Sequence, residues 1–229
     1  MVQKISRKQL LKEPDEFLTF SARLLQWIAA YRSQTLIGVA ILLGIGVLVS
    51  GYQMLHQSWE KDAFTKLHGL TARYEKLQKS DGAAKAYESM QKEFDTFLLD
   101  ASRRTAGKIG LLTWAKCCVE AGQLDKAIDV YGKAVDAFQG DPILASLARS
   151  ALGHLYLKKS DTDRALSLFE TVASAADATP VVVEDALIQL SAIYRQRQDE
   201  PKSKQYLQTL VQKYPNSIYK ELATGLANG

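Results

Sequence analysis

Ala127, Ala165 and Ser203 stand at equal intervals along the chain, and each small residue is followed four positions later by a bulky one, Tyr131, Phe169 and Leu207. No other feature of the chain restricts its fold so strongly. Ahead of each stands a second apolar set: Leu111 and Trp114, then Leu152, Gly153 and Tyr156, then Leu187, Leu190 and Tyr194. Steps of three and four residues put such sets on one face of a helix. The stretch "GQLDKAIDVYGKAV" opens on the turn residue Gly122 and continues through Ala127, Tyr131 and Ala134, so each period reads as two helices joined by a turn. A small residue belongs where two helices cross closely, and the bulky one fills the gap beside it. One such pair cannot bury its own apolar face, so successive pairs must stack. Five prolines and fourteen glycines in 229 residues leave this helical pattern largely uninterrupted.

Helix-turn-helix units of about 34 residues with an Ala, aromatic, Ala series on the second helix are the mark of tetratricopeptide repeats. In that frame the units run about 64–97, 108–141, 146–179 and 184–217, the last closed by Pro215. The first is degenerate: Leu67, Leu70, Tyr74, Ala83, Tyr87 and Met90 fall in register, but the closing proline is missing. The sequence therefore predicts an all-α chain, a single N-terminal transmembrane helix followed by a tetratricopeptide-repeat-like α-solenoid. The repeat domain spans 56–217, and 218–229 form a closing helix and tail.

The membrane helix is read from Leu36 to Leu55, "LIGVAILLGIGVLVSGYQML", 20 residues without a charge and about the length that crosses the hydrocarbon layer. Residues 1–35 form a tail in which Phe17, Phe20, Leu24, Trp27, Ile28 and Tyr31 fall mostly on one face, either of an amphipathic helix suited to the headgroup layer or of a plain continuation of the membrane helix into the cytosol. Lys4, Arg7, Lys8 and Lys12 keep this tail cytoplasmic, while a long C-terminal domain crosses largely regardless of its charge. The expected arrangement is a bacterial inner-membrane protein with a periplasmic repeat domain. The reverse topology, a cytosolic receptor docked on the membrane, is the alternative. Within the span, Ala40 with Gly44 and Gly46 with Ser50 have the spacing that lets membrane helices approach closely.

Several function classes lose their footing. Residues 1–55 hold six Lys/Arg against three Asp/Glu, so the remainder is close to neutral and lacks the basic footprint of a nucleic-acid binder. Cys117 and Cys118 are adjacent and point about 100° apart on a helix, so they suit packing better than a shared metal or catalytic centre. His56, His68 and His154 are far apart in the repeat frame, and no phosphate-binding loop or nucleophile-base spacing occurs. The expectation is a protein that is not an enzyme, with no cofactor and no small-molecule substrate.

The first helices of the units should line a groove that holds protein segments. Its candidate residues are Leu112, Lys116 and Glu120 in the second unit, Leu147, His154 and Lys158 in the third, and Ile188 and Arg195 in the fourth, flanked by Ile109, Ser150, Leu157 and Ala192. This mix suits a segment with apolar and acidic side chains. An N-terminal anchor followed at once by degenerate repeats such as "AGQLDKAIDVY" and "ALGHLYLKKSDTDRALSLF" resembles the YfgM-type family, the ancillary subunit of the SecYEG translocon, over residues 14–217. The resemblance implies a scaffold or chaperone-like adaptor in the inner membrane, with translocon subunits and secretory or envelope proteins as partners. An envelope-assembly or cell-division coordinating factor shares the fold and is the competing reading.

Overall fold

The computed structural model describes Trp27 and residues 30–228, and every element among them is a helix. These are α1 (Arg32–Asp81), α2 (Ala83–Asp100), α3 (Thr105–Glu120), α4 (Leu124–Ala137), α5 (Pro142–Lys158), α6 (Thr162–Ser174), α7 (Pro180–Gln196), α8 (Glu200–Lys213) and α9 (Lys220–Asn228). The chain divides into two compact units, one ending at Trp59 and one beginning at Glu60. The first contains the apolar part of α1, the one described helix long and apolar enough to cross a membrane, with none of its apolar window buried. Trp27 and Tyr31 precede it in the chain, with ring centroids 5.6 Å apart. Phe17, Phe20, Leu24 and Ile28, on which the amphipathic reading of the tail also rests, lie outside the described residues.

The second unit is a row of helix pairs. Ala127, Ala165 and Ser203 are each the fourth residue of the second helix of a pair and have no exposed surface. Opposite them on the first helices stand Ala115, Gly153 and Ser191, spaced by the same interval and all buried. At Gly153 a Cβ would sit 2.8 Å from the Phe169 ring, so the glycine is required by contact with that ring. In the last pair Ser191 and Ser203 share a buried hydroxyl hydrogen bond of 2.9 Å, which satisfies both.

The first pair departs from the sequence frame. Ala83, placed at the crossing by the repeat register, is only half-buried at the start of α2, and the fully buried small residue is Ala86. The cause is the length of α1: it runs on to Asp81, five residues past the position at which the later first helices end, and the turn through Gly82 alone, at φ 85°, recovers only two of them against the three-residue turns of the later pairs. The second helix therefore starts three positions late, and Ala86 becomes its fourth residue.

Trp114 centres the core of the first two pairs. It is fully buried, stacked against Phe94 at 4.4 Å and Tyr87 at 5.2 Å, with Tyr74 edge-on at 6.4 Å. Such aromatic contacts contribute about 0.5–1.5 kcal/mol each beyond area burial. The Tyr74 hydroxyl donates to the Cys117 carbonyl at 3.0 Å, and the Glu60 carboxylate accepts the free N–H groups of Thr105 and Ala106 at 2.9 and 3.3 Å, capping α3. Both cysteines are buried and unpaired. Burial pushes each thiol up to about 12, helped by Glu120 at Cys117 and by Cys117 at Cys118. With so little thiolate near neutrality, a thiol reagent at pH 8 should label neither cysteine in the folded chain and both in urea.

The period recurs in the turns. Gly122, Ser160 and Gln198, each one repeat from the next, take left-handed φ values of 76°, 61° and 62°. Only the glycine does so without cost. Equivalent ion pairs, Asp125 with Lys159 and Asp163 with Arg197, join successive turns. Equivalent cations lie over Tyr156 (Arg164, 5.2 Å) and Tyr194 (Lys202, 4.8 Å). A Cβ at Gly122 meets nothing within 4 Å, so Gly122→Ala should cost about 1 kcal/mol from backbone conformation alone, while Gln198→Gly should gain about 0.5 kcal/mol. Urea unfolding of both variants checks the two signs.

Candidate protein-binding groove

Helices α3, α5 and α7 are the first members of their pairs. Each is separated from the next by one antiparallel helix, so the three run the same way. Pro142 and Pro180 occupy the first turns of α5 and α7, where no N–H is missed, and Asp141 caps α5 by accepting the Leu144 N–H at 3.1 Å.

The sequence-predicted residues occupy three kinds of position. Leu112 is half-buried in the apolar cluster of Ala134, Phe138, Ala145 and Ala148, and Ile188 in the cluster that α9 completes with Ala223. Lys116 and Glu120 pair along α3 at 3.8 Å, and Glu120 also accepts from Gln78 Nε2 at 3.0 Å. Leu147, His154 and Lys158 are exposed along α5, and Arg195 is half-buried in the last turn of α7. No ion pair or hydrogen bond joins Lys158 or Arg195 to another described residue.

Sequence reasoning missed Asp185, which joins α5 to α7. His154 Nε2 lies 2.8 Å from Asp185 Oδ2, Ser150 Oγ donates to the same oxygen at 3.1 Å, and Gln189 Nε2 reaches Oδ1 at 3.3 Å. The His154 ring also meets Phe169 edge-on at 5.2 Å. Burial alone would raise the Asp185 carboxyl, but the hydrogen bond and charge of His154, followed by Gln189 and Ser150, outweigh it and hold the group below its ordinary value. The signal was present in the sequence, because Asp185 stands one full repeat after Leu147.

On the second-helix side, a cleft of about 460 Å³ between α2 and α4 has Leu111 as its floor, and an equivalent one of about 400 Å³ between α6 and α8 has Leu187. The lysines of the first cleft are already matched, Lys126 by Asp95 at 3.0 Å and Lys133 by Asp129 at 2.8 Å.

The sequence model of the tetratricopeptide repeat-like domain matches residues 26–180, and that of the tetratricopeptide repeat matches 185–217. No curated protein matches. Among solved structures, a tetratricopeptide repeat protein from Parabacteroides merdae superposes with a TM-score of 0.54 at 15% identity, over 71% of this chain and 59% of that one. Nearly identical TPR-like repeats described as a kinesin light chain of Podosopora anserina superpose with a TM-score of 0.52 at 12% identity, over 68% of this chain and 78% of that one. At these identities the likeness concerns the fold alone, and the chain spans under two thirds of the first structure's length.

The Asp185 cluster generates a prediction with a definite sign. A depressed carboxyl contributes stability that is present in full above the ordinary carboxylate range, near pH 4, and is lost as the pH falls through the depressed value. Asp185→Asn should therefore cost about 1–3 kcal/mol at pH 7, and the gap to the parent should narrow between pH 7 and pH 3. Urea unfolding of both chains at the two pH values measures it.

Proposed function

From the premise that this chain belongs to the tetratricopeptide repeat-like domain family, we propose that it is a membrane-anchored protein-binding scaffold, a chaperone-like adaptor beside the bacterial inner-membrane translocon. The observation that carries the reading is one of continuity. The apolar segment and the first helix of the repeat array are the same helix, Arg32–Asp81, and a single family match runs from residue 26 through the third pair. A tether built into the array makes local concentration its working principle: a groove held near the membrane meets membrane-borne or emerging chains at an effective concentration far above that in bulk.

Repeat solenoids of this class are typically non-catalytic protein-binding surfaces, and the chemistry of the first-helix face supports that role here. The Ser150 hydroxyl and the His154 imidazole both engage the Asp185 carboxylate, which ties α5 to α7. The face offers apolar side chains, hydrogen-bonded polar groups and cations. In this reading the N-terminus lies in the cytoplasm and the repeats in the periplasm, the topology that the YfgM-type resemblance implies.

Photoreactive side chains at Lys116, His154 and Lys158 test this in native membranes, with mass spectrometry of what they trap. The expected products are translocon subunits or emerging secretory chains. Division or envelope-assembly proteins alone would move the scaffold to the competing pathway, and cytosolic proteins alone would reverse the topology.

A further inference from the structure

The first-helix face of α5 and α7 is divided along its length. At its N-terminal edge Ile143 and Val181, equivalent positions that each follow a helix-starting proline, are 49% and 71% exposed, and Leu147 beside them is 46% exposed. At its C-terminal edge stand Lys158 and Arg195, in the last turns of the same two helices.

The acids between these edges are spent. Helix α5 carries no acid, and both acids of α7 are engaged, Glu184 by the Ser217 hydroxyl at 2.7 Å and Asp185 by His154, Ser150 and Gln189. Among the described residues the face thus has cations without partners and carboxylates that already hold donors, so an incoming carboxylate finds two unpaired cations while an incoming cation finds no unpaired acid. From Ile143 to Lys158 is about 15 residues, or about 22 Å of helix at 1.5 Å per residue, and a crossing helix about 10 Å wide cannot cover both edges.

We propose that this face binds, lengthwise along α5 and α7, a helical segment of a partner protein with carboxylates in its first turn and aliphatic side chains in its last. The carboxylates meet Lys158 and Arg195, and the aliphatic groups cover Ile143, Leu147 and Val181. This orientation is antiparallel to α5 and α7. It puts the acids at the partner's own helix N-terminus, where the helix dipole favours them, and against the cations that neutralise the C-terminal ends of α5 and α7. About 14 residues span the face. The inference rests on the protein-binding reading and specifies the chemistry of what is bound.

The test uses the full chain in lipid nanodiscs and fluorescence anisotropy of a labelled alanine-glutamine helix of about 14 residues, with glutamates in the first turn and leucines in the last. Its control carries glutamine for glutamate. The acidic peptide should bind at least tenfold more tightly than the control and weaken as salt rises. Lys158→Glu with Arg195→Glu should abolish that preference, and Leu147→Ser with Val181→Ser should weaken both peptides at least tenfold. The milder Lys158→Gln with Arg195→Gln serves as a second variant, and circular dichroism verifies that each is folded. Equal binding of both peptides, or indifference to the edge substitutions, overturns the acidic specificity and leaves the scaffold reading standing. Failure of both peptides to bind would overturn the proposal, while the crosslinking from Lys116, His154 and Lys158 decides the scaffold reading separately.

Discussion

Everything in the repeat unit depends on how closely two helices can approach at one point. Ala86, Ala127, Ala165 and Ser203 occupy that point in successive pairs, each the fourth residue of its helix and each without exposed surface. A larger side chain there would push the pair apart and uncover the aromatic or aliphatic group four residues on. Ser203 keeps the spacing despite its polarity because Ser191 faces it with a matching hydroxyl. The stacking of pairs then follows from what this contact leaves uncovered, and no contact between distant pairs is needed.

The repeat period was legible because it is written in large apolar residues, whose burial admits few substitutes. Trp114, Leu152, Phe169, Leu190 and Leu207 all went where their spacing put them. The first pair was misread by three residues because the register assumed a first helix of constant length, and α1 runs on to Asp81 before Gly82 turns the chain. Asp185 escaped for a different reason: a carboxylate on a helix face looks like a solvated residue until the donors around it are known, and two of those donors come from α5. The division of the groove into apolar and basic edges was hidden as well. Lys116, Lys158 and Arg195 look alike in sequence, and only the structure separates the lysine that has a carboxylate from the two cations that have none among the described residues.

The junctions between first helices differ in character although the repeat places them in equivalent frames. Between α3 and α5 the contact is apolar, with Leu112 set among Ala145 and Ala148. Between α5 and α7 it is a carboxylate with three donors. Exposed ion pairs such as Asp125 with Lys159 contribute little stability singly, so their recurrence at each turn aligns neighbouring pairs more than it strengthens them. Backbone geometry and packing are thus repeated along the array, while surface chemistry changes from unit to unit.

The length of α1 gives the array a mechanical polarity. Helix α1 carries the apolar segment at one end and, at Glu60, Tyr74 and Gln78, holds α3 at three points along its axis. A force directed along α1 from Glu60 onward would load these contacts together, in shear. A pull on α9 would instead meet the contacts between successive helices one at a time, beginning with that of α9 on α8. The same row of helices is therefore stiff when drawn from one end and yields stepwise when drawn from the other.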